Sequence, residues 1–226
     1  MSLWRAGGAL VVGHRGGRGE GWPRENTLAA FERARAEGAR AIELDVRTCG
    51  TGEVVVLHDP TGTSLAELRA LGTPTLAEAL AWASENDVAV NVELKHDVPN
   101  RLALVERVRR VLRRSRADVL LSSFDPLLLA AAAVAFPTTR RALLTSRAQR
   151  PQVPSAIATP PFVHALHLER TQTNPVAIAS YRRRGLRVGV WTVNDPGEAV
   201  DLVALGVETL ITDTPGRLLE ALTPGK

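Results

Sequence analysis

Pairs of polar and charged residues recur in this sequence directly after short apolar runs. The four pairs are His14-Arg15, Glu43-x-Asp45, His58-Asp59 and Glu93-x-Lys95. Carboxylates are hard oxygen ligands that suit Mg²⁺ or Ca²⁺, and the lack of a Cys/His ligand spacing argues against structural zinc. Arginine and lysine beside such a metal favour an anionic substrate with phosphate oxygens, and histidines can transfer protons near neutral pH. The residue types therefore indicate metal-assisted chemistry on a phosphate-bearing substrate.

The spacing within the pairs decides which side chains can act together. Residues i and i+2 of a strand point to the same face, so Glu43 and Asp45 share one face, as do Glu93 and Lys95. Lys95 stands out because nearly all other basic residues are arginines. Each feature also has a simpler interpretation, since a Glu-x-Asp at a strand end is often a loop hydrogen-bond acceptor and Lys95 could be a surface lysine.

Strand-like runs alternate with amphipathic segments along the whole chain, and this alternation predicts parallel strands with helices packed outside. The predicted strands are Ala9 to Gly13, Ala41 to Val46, Val54 to Leu57, Val88 to Leu94, Val119 to Ser122, Arg141 to Leu144, Ala165 to Leu168, Arg187 to Val193 and Thr209 to Ile211. The clearest predicted helices are Asn26 to Ala36, Leu76 to Glu85, Pro99 to Arg114 and Pro175 to Arg184.

The expected fold is a TIM (β/α)8 barrel, although nine strands exceed the eight that such a barrel holds. The segment between Asp45 and His58 is too short for a helical crossover and is centred on a Gly-Thr-Gly turn. It is therefore predicted to form a β-hairpin extension after strand 2, which would return His58 to the rim beside Glu43 and Asp45. All the polar pairs would then meet at the C-terminal end of the barrel, where barrel enzymes build their sites.

Length and composition set further expectations. The 226 residues, 45% of them hydrophobic, fit one barrel domain spanning residues 1–226. No run approaches the roughly 18 apolar residues of a membrane span, and the N-terminus lacks a secretory cleavage pattern. Cys49 is the single cysteine, so no disulfide can form within the chain. A cytoplasmic location is the resulting expectation.

The basic balance of the chain does not favour nucleic acid as a partner. The net charge is only +4, and the arginine clusters at 107–114 and 182–184 lie on helical patterns, where a solvated face explains them. Four Trp, four Phe and one Tyr offer no stacking platform for bases. A small molecule is the expected partner, without stable membrane insertion, and the oligomeric state is not predicted.

The sequence resembles the glycerophosphodiester phosphodiesterases of the phospholipase C-like phosphodiesterase barrel superfamily. The resemblance extends from Gly13 nearly to the C-terminus. It is carried by GHRG, ENT at 25–27, ELD at 43–45, HD at 58–59, ELK at 93–95, SSF at 122–124, WTVN at 191–194 and ITDTP at 211–215. GHRG followed by ENT is a fairly specific signature, and the resemblance implies hydrolysis of glycerophosphodiesters to sn-glycerol 3-phosphate and an alcohol with a divalent cation.

The resemblance also implies a role for each matching residue. Glu43, Asp45 and Glu93 would be metal ligands, and His14 and His58 would be the acid–base pair. Arg15 and Lys95 would hold the phosphate, Trp191 would form an apolar wall, and Glu25, Asn26 and Asp59 would support the site. Trp191 could equally pack in the core. His167 and Glu169 lie at a suitable strand end but are only weak candidates for site residues. His96 and His164 are expected to be structural or exposed. Ser123 and Phe124 are expected to line the pocket without taking part in the chemistry.

The sequence departs from the family pattern at three places. Arg24 separates Pro23 from Glu25 where the family usually has Pro-Glu-Asn-Thr, and Cys49-Gly-Thr-Gly replaces the usual hairpin turn. The segment from Pro60 to Pro74 is short, which predicts an open mouth. Two alternatives to the phosphodiesterase remain: a related barrel phospholipase acting on lysophospholipids or sphingolipids, and a catalytically silent barrel that binds phosphodiesters.

Overall fold

The computed structural model describes residues 8–148 and 162–223, so the predicted domain span of 1–226 extends beyond the described residues at both ends. Its nine strands are β1 (Leu10–Gly13), β2 (Ala41–Thr48), β3 (Val54–Val56), β4 (Ala89–Leu94), β5 (Val119–Ser123), β6 (Arg140–Thr145), β7 (Ala165–Glu169), β8 (Arg187–Trp191) and β9 (Thr209–Thr212). All except β3 are parallel, in the order β1, β9, β8, β7, β6, β5, β4, β2. Because β1 also pairs with β2, the eight parallel strands close into the predicted barrel.

Helices surround the barrel. They are α1 (Leu28–Ala36), α2 (Leu65–Ala70), α3 (Leu76–Glu85), α4 (Arg101–Leu112), α5 (Pro126–Ala135), α6 (Pro175–Arg183), α7 (Pro196–Ala204) and α8 (Pro215–Leu222). Four begin with proline, whose fixed φ suits a first helical turn. Side-chain caps such as Thr27, Asn100 and Asp195 satisfy backbone N–H groups at the N-termini. Among the described residues, no helix has the length and apolar character to cross a bilayer.

The predicted hairpin is present. β3 pairs antiparallel with the end of β2, with Val46 opposite Val56 and Thr48 opposite Val54. Gly52 lies in the turn with a φ of 96°, a conformation that glycine adopts without steric cost. The backbone N–H of Leu57 donates to the carbonyl of Asp45 at 3.0 Å, which holds the residue before His58 against β2. The replaced turn sequence at Cys49 therefore leaves the hairpin intact.

The barrel interior is divided into an apolar end and a polar end. A buried cluster inside the barrel consists of Val12, Ala41, Ala89, Leu120, Ala142, Ala165 and Ile211. Four of these seven residues are alanines, which fit the narrow space between strands that face each other. Larger aliphatic side chains pack between the strands and the helices. The polar residues collect farther along the same strands, toward their C-terminal ends.

Two local features differ from the expectations. The first helix was predicted from Asn26 but begins at Leu28, because Asn26 has a left-handed φ of 57° and turns its side chain toward β2. The segment from Pro60 to Pro74 holds the short helix α2, which the sequence analysis did not predict. Ser64 and Glu67 form a reciprocal capping box at its start, a signal that was present in the sequence.

Candidate active site

Three buried carboxylates meet at the C-terminal end of the barrel. Glu43 and Asp45 lie on β2, and Glu93 lies on β4 directly opposite Asp45 in the strand register. One oxygen from each lies within 4.8 Å of the others, and all three residues are buried. The i, i+2 spacing and the pairing of neighbouring strands thus bring together the residues that the sequence analysis singled out as metal ligands.

Burial and neighbouring charges shift the pKa values of these three carboxyl groups in opposite directions. Burial, followed by the charges of Asp45 and Glu93, raises the pKa of Glu43 well above its ordinary value. Burial and the charge of Asp45 raise the pKa of Glu93 to about 7. Burial alone would also raise the pKa of Asp45, but the positive charges of Lys95 and Arg15 lower it. If all three carboxylates were ionised, they would carry one more negative charge than Lys95 and Arg15 balance, and the raised pKa values of Glu43 and Glu93 oppose that state.

Lys95 and Arg15 are the two cations in contact with the cluster. Lys95 Nζ lies 2.9 Å from Glu93 Oε1 and 3.3 Å from Asp45 Oδ1. The guanidinium of Arg15 lies 3.1 Å from Asp45 Oδ2 and donates to Glu25 at 2.6 Å. Burial opposes the charge of Lys95, yet its two carboxylate neighbours raise its pKa, so it remains an ammonium. Both predicted phosphate-binding residues thus lie at the site, each paired with carboxylates.

The loop after β1 places Arg15 with a strained backbone. Arg15 has a φ of 52°, which is uncommon for a residue other than glycine, and its backbone N–H donates to Glu43 Oε2 at 2.9 Å. Gly16 follows with a φ of 90°, and a Cβ there would lie 2.8 Å from the carbonyl carbon of Ala30 in α1. The GHRG sequence therefore allows the chain to turn tightly beneath α1 and direct an N–H at the carboxylate cluster.

The supporting residues predicted from the ENT segment make specific contacts. Asn26 Nδ2 donates to Asp45 Oδ2 at 2.9 Å, and Asn26 Oδ1 accepts from the backbone N–H of Asp45 at 3.3 Å. Glu25 accepts from Arg15 and from Arg18, the latter at 3.3 Å. Arg24, the departure from the family pattern, donates to the carbonyl of Leu71 at 2.6 Å and ties this loop to the segment after α2.

Each of the two histidines has a carboxylate at Nδ1. His14 Nδ1 lies 2.7 Å from Asp213 Oδ1, and His58 Nδ1 lies 2.8 Å from Asp59 Oδ1. Burial opposes the charge of Asp213, but hydrogen bonds from His14 and Arg18 hold its pKa far below the ordinary value. Hydrogen bonding and charge from His58 also lower the pKa of Asp59. Because both carboxylates are ionised and can only accept, each Nδ1 carries the proton, and each Nε2 is the nitrogen left for proton transfer.

Three residues around His14 had no role predicted from the sequence: Arg18, Asn194 and Asp213. Asp213 also accepts from Arg18 Nε and Asn194 Nδ2, both at 2.9 Å. Asn194 Oδ1 in turn accepts from the backbone N–H of Asp213 and from Thr212 Oγ1. Asn194 and Asp213 were visible as polar residues after the last two strands, whereas nothing in the sequence marked Arg18.

A cavity of about 170 Å³ joins these groups. Its lining residues are His14, Arg15, Glu43, His58, Asn91, Glu93, Lys95, Ser122, Phe124, Leu144, Trp191 and Ile211. Phe124 packs edge-on against Trp191, with ring centroids 5.5 Å apart, and Trp191 Nε1 donates to the carbonyl of His167 at 3.1 Å. The cavity therefore has a charged side, formed by carboxylates and cations, and an aromatic side.

Some candidates from the sequence lie elsewhere. His167 is buried but is not among the cavity-lining residues, and burial lowers its pKa to about 4, so its ring is neutral. Glu169 accepts from the backbone N–H of Arg147 at 2.7 Å and from Thr171 at 3.0 Å. Ser123 donates to the carbonyl of Leu94 rather than lining the cavity, where its neighbours Ser122 and Phe124 lie. The weak assignments to His167 and Glu169 thus correspond to packing and loop hydrogen bonding.

Known proteins are similar to this chain in both sequence and fold. The chain is 27% identical to the glycerophosphodiester phosphodiesterase of Caldanaerobacter subterraneus subsp. tengcongensis over 243 residues, which covers 96% of this chain and 98% of that protein. The crystal structure of the Thermotoga maritima glycerophosphodiester phosphodiesterase is similar, with a TM-score of 0.73, 25% identity, and coverage of 96% and 99%.

A second solved structure supports the fold. It is an Oleispira antarctica phosphodiesterase in complex with the product sn-glycerol-3-phosphate, similar with a TM-score of 0.82 at 24% identity over 94% of this chain and 96% of that one. The sequence profile of the glycerophosphoryl diester phosphodiesterase family matches residues 14–217. With nearly the whole described barrel included in that match, this chain belongs to the glycerophosphoryl diester phosphodiesterase family.

Proposed function

We propose that this protein hydrolyses glycerophosphodiesters to sn-glycerol 3-phosphate and an alcohol, with a divalent cation, Mg²⁺ or Ca²⁺, at the carboxylate cluster. Membership of the family supports the reaction class. The observation that carries the proposal is a cavity lined by two histidines, two carboxylates, Lys95 and Arg15, with the buried third carboxylate, Asp45, within 4.8 Å of the other two. Three other cavities, which lie between α3 and α4, at the opposite end of the barrel and beside the hairpin, are not lined by these groups.

The chemistry of the cluster fits a divalent cation. Oxygens bound to Ca²⁺ at about 2.3–2.6 Å lie at most about 5 Å apart, and the carboxylate oxygens of Glu43, Asp45 and Glu93 lie within 4.8 Å of one another. Burial and then the neighbouring carboxylates raise the pKa values of Glu43 and Glu93, and a bound cation would favour their ionised forms. When bound, the cation would lower the pKa of a substrate hydroxyl and stabilise charge on the phosphoryl oxygens.

Lys95 and Arg15 would hold the phosphodiester. Both line the cavity and both remain positively charged, so phosphate oxygens can accept hydrogen bonds from them. Burial opposes the charge of Arg15, but Asp45 and Glu25 raise its pKa. The aromatic pair Trp191 and Phe124 would exclude water from the opposite side. The diester would thereby be held with its phosphorus near both imidazoles.

His14 and His58 would divide the proton transfers. One accepts the proton from the glycerol hydroxyl next to the phosphate, whose oxygen attacks phosphorus in line as the bond to the alcohol oxygen breaks. The other donates its proton to the departing alkoxide. Water then opens the cyclic phosphate, with the same two histidines exchanging protons in the reverse sense. Asp213 and Asp59 keep Nδ1 protonated throughout, so proton transfer uses Nε2.

The test is product analysis with glycerophosphocholine and glycerophosphoethanolamine. The purified protein with Mg²⁺ or Ca²⁺ should release sn-glycerol 3-phosphate together with choline or ethanolamine, and EDTA should abolish this release. Binding of the diesters without cleavage would favour the catalytically silent barrel. Preferential cleavage of lysophospholipids would favour the related phospholipase. Absence of product with either cation would contradict the proposal.

A further inference from the structure

Two buried polar side chains in the cavity have no hydrogen-bond partner among the described residues. The carbonyl oxygen and the amide nitrogen of Asn91 both lack one, as does the hydroxyl of Ser122. Asn91 is 1% exposed and Ser122 is 0% exposed, yet both line the cavity. Buried polar groups are nearly always hydrogen-bonded, because leaving them unpaired in the interior destabilises the folded state. These two side chains are therefore available to a ligand.

The strand register places Asn91 and Ser122 beside carboxylates of the cluster. Asn91 precedes Glu93 by two residues on the same face of β4, which corresponds to about 6.6 Å along the strand. It lies opposite Glu43 on β2, and Ser122 lies opposite Glu93 on β5. Asn91 and Ser122 thus lie on neighbouring strands, two positions apart in the register, and each is in register with a carboxylate of the cluster.

Two other residues that line the cavity cannot form a hydrogen bond with a ligand through their side chains. Leu144 and Ile211 line the cavity with aliphatic side chains only. Asn91 offers two N–H donors and a carbonyl acceptor, and the Ser122 hydroxyl both donates and accepts. An alcohol group, which is itself both donor and acceptor, matches this pair. A cationic group lacks an acceptor and would leave the donors of Asn91 unpaired.

We propose that Asn91 and Ser122 recognise the terminal hydroxyl of the glycerol arm of the substrate. This inference rests on the proposed function. Of the two arms of glycerophosphocholine or glycerophosphoethanolamine, only the glycerol arm ends in a hydroxyl, since the other ends in an ammonium group. With phosphate oxygens at Lys95 and Arg15, the glycerol arm extends along β4 from Lys95 toward Asn91 and Ser122, and the leaving alcohol faces the opposite way.

A pair of substrates separates this role from a structural one. The pair consists of glycerophosphocholine and the propane-1,2-diol phosphocholine diester, which keeps the attacking hydroxyl but lacks the terminal one. Sites that hydrogen-bond a substrate hydroxyl discriminate strongly against analogues without it, so the wild type should prefer glycerophosphocholine by about 10²-fold in kcat/KM. Asn91→Ala and Ser122→Ala should each lower kcat/KM about 10-fold for glycerophosphocholine and about 2-fold or less for the analogue.

Leu144→Ala is the matched control, because it enlarges the same cavity without removing a hydrogen bond and should affect both substrates equally.

Calorimetry gives a second readout: the wild type should bind sn-glycerol 3-phosphate more tightly than propane-1,2-diol 1-phosphate, and Asn91→Ala should abolish that difference. Equal losses on both substrates, or no loss, would overturn the inference. If Asn91→Ala does not fold, Ser122→Ala decides it. If the wild type cleaves neither diester, the proposed function is contradicted. The calorimetric comparison of the two phosphates would then still test whether Asn91 and Ser122 recognise the terminal hydroxyl.

Discussion

His14 Nδ1 lies 2.7 Å from the Oδ1 of Asp213, a carboxylate 199 residues away along the chain. Closure of the barrel through the β1–β9 pairing brings the two together. Arg18 and Asn194 hold the same carboxylate from two other directions. The orientation of the His14 imidazole is therefore fixed by contacts on both sides of the barrel seam.

Removing the charge of Asp213 should impair catalysis more than folding. Asp213→Asn can present an amide N–H to Nδ1 and thereby favour the tautomer protonated at Nε2. We expect kcat to fall by about 10²-fold or more with a change in the melting temperature of only a few degrees. Steady-state kinetics and thermal melts measure both. Asp201→Asn, at an exposed position on α7, is the control, and a kcat equal to that of the control would refute the positioning role.

Loss of either proton-transfer group should reduce turnover without unfolding the protein. His14→Ala and His58→Ala are each expected to lower kcat by about 10²-fold or more, because general acid–base catalysis contributes factors of this size. Circular dichroism should be unchanged. His164→Gln is a suitable control, since His164 lies before β7, where its Nδ1 accepts from the backbone of Arg141. Ordinary turnover in the His14→Ala protein would reject the role assigned to it.

In the metal-free protein, ionisation of the buried carboxyl group of Glu93 should lower the stability of the folded state. Its pKa is raised to about 7 from an ordinary 4.5, so the folded state binds the proton more tightly than the unfolded state. The contribution of Glu93 to stability is therefore complete below pH 4.5 and lost as the pH rises through about 7. The buried His167, whose pKa is lowered to about 4, has the opposite effect between about pH 4 and 6.5, so the wild type alone does not isolate Glu93.

Comparison with Glu93→Gln isolates this contribution. Relative to the wild type, the metal-free variant should gain melting temperature as the pH is raised from 5 to 8, because glutamine cannot ionise. Thermal melts in the presence of EDTA at several pH values measure the difference. A constant offset between the two proteins over this range would show that Glu93 is not the titrating group.

Lys95 should have separable effects on substrate and on cation. Its Nζ lies between Glu93 and Asp45, so Lys95→Met removes a positive charge from the carboxylate cluster. We expect the affinity for Ca²⁺ to increase, while kcat/KM for glycerophosphocholine falls by about 10-fold or more because a phosphate contact is lost. Calorimetric titration and steady-state kinetics test the two effects. Weaker Ca²⁺ binding in the variant would contradict this account of the charge balance.

The barrel and its acidic cluster followed from short-range patterns. The i, i+2 spacing in Glu43-x-Asp45 and Glu93-x-Lys95 predicts shared strand faces, and the parallel βα pattern predicts that these faces meet at one end. The short connection before His58 predicted the hairpin. The same spacing rule also marks Asn91, two residues before Glu93, although the sequence analysis did not use it.

Other features depend on contacts that no local pattern encodes. The interaction of Arg18 with Asp213 spans 195 residues and exists only because β1 lies beside β9. The sequence predicts Asn26 as the first residue of a helix, but its hydrogen bonds to Asp45 stabilise a left-handed backbone conformation instead. In both cases the tertiary partner, rather than the sequence nearby, determines the local conformation.

The central claim is that Glu43, Asp45 and Glu93 share one divalent cation within the cavity that contains His14 and His58. Anomalous diffraction from crystals soaked in Mn²⁺, which also prefers oxygen ligands, tests it most directly. The account predicts a single strong peak with an oxygen of each carboxylate at about 2.1–2.3 Å, lost in crystals of Glu93→Gln or after treatment with EDTA. A peak elsewhere on the protein, with the three carboxylates uncoordinated, would contradict it.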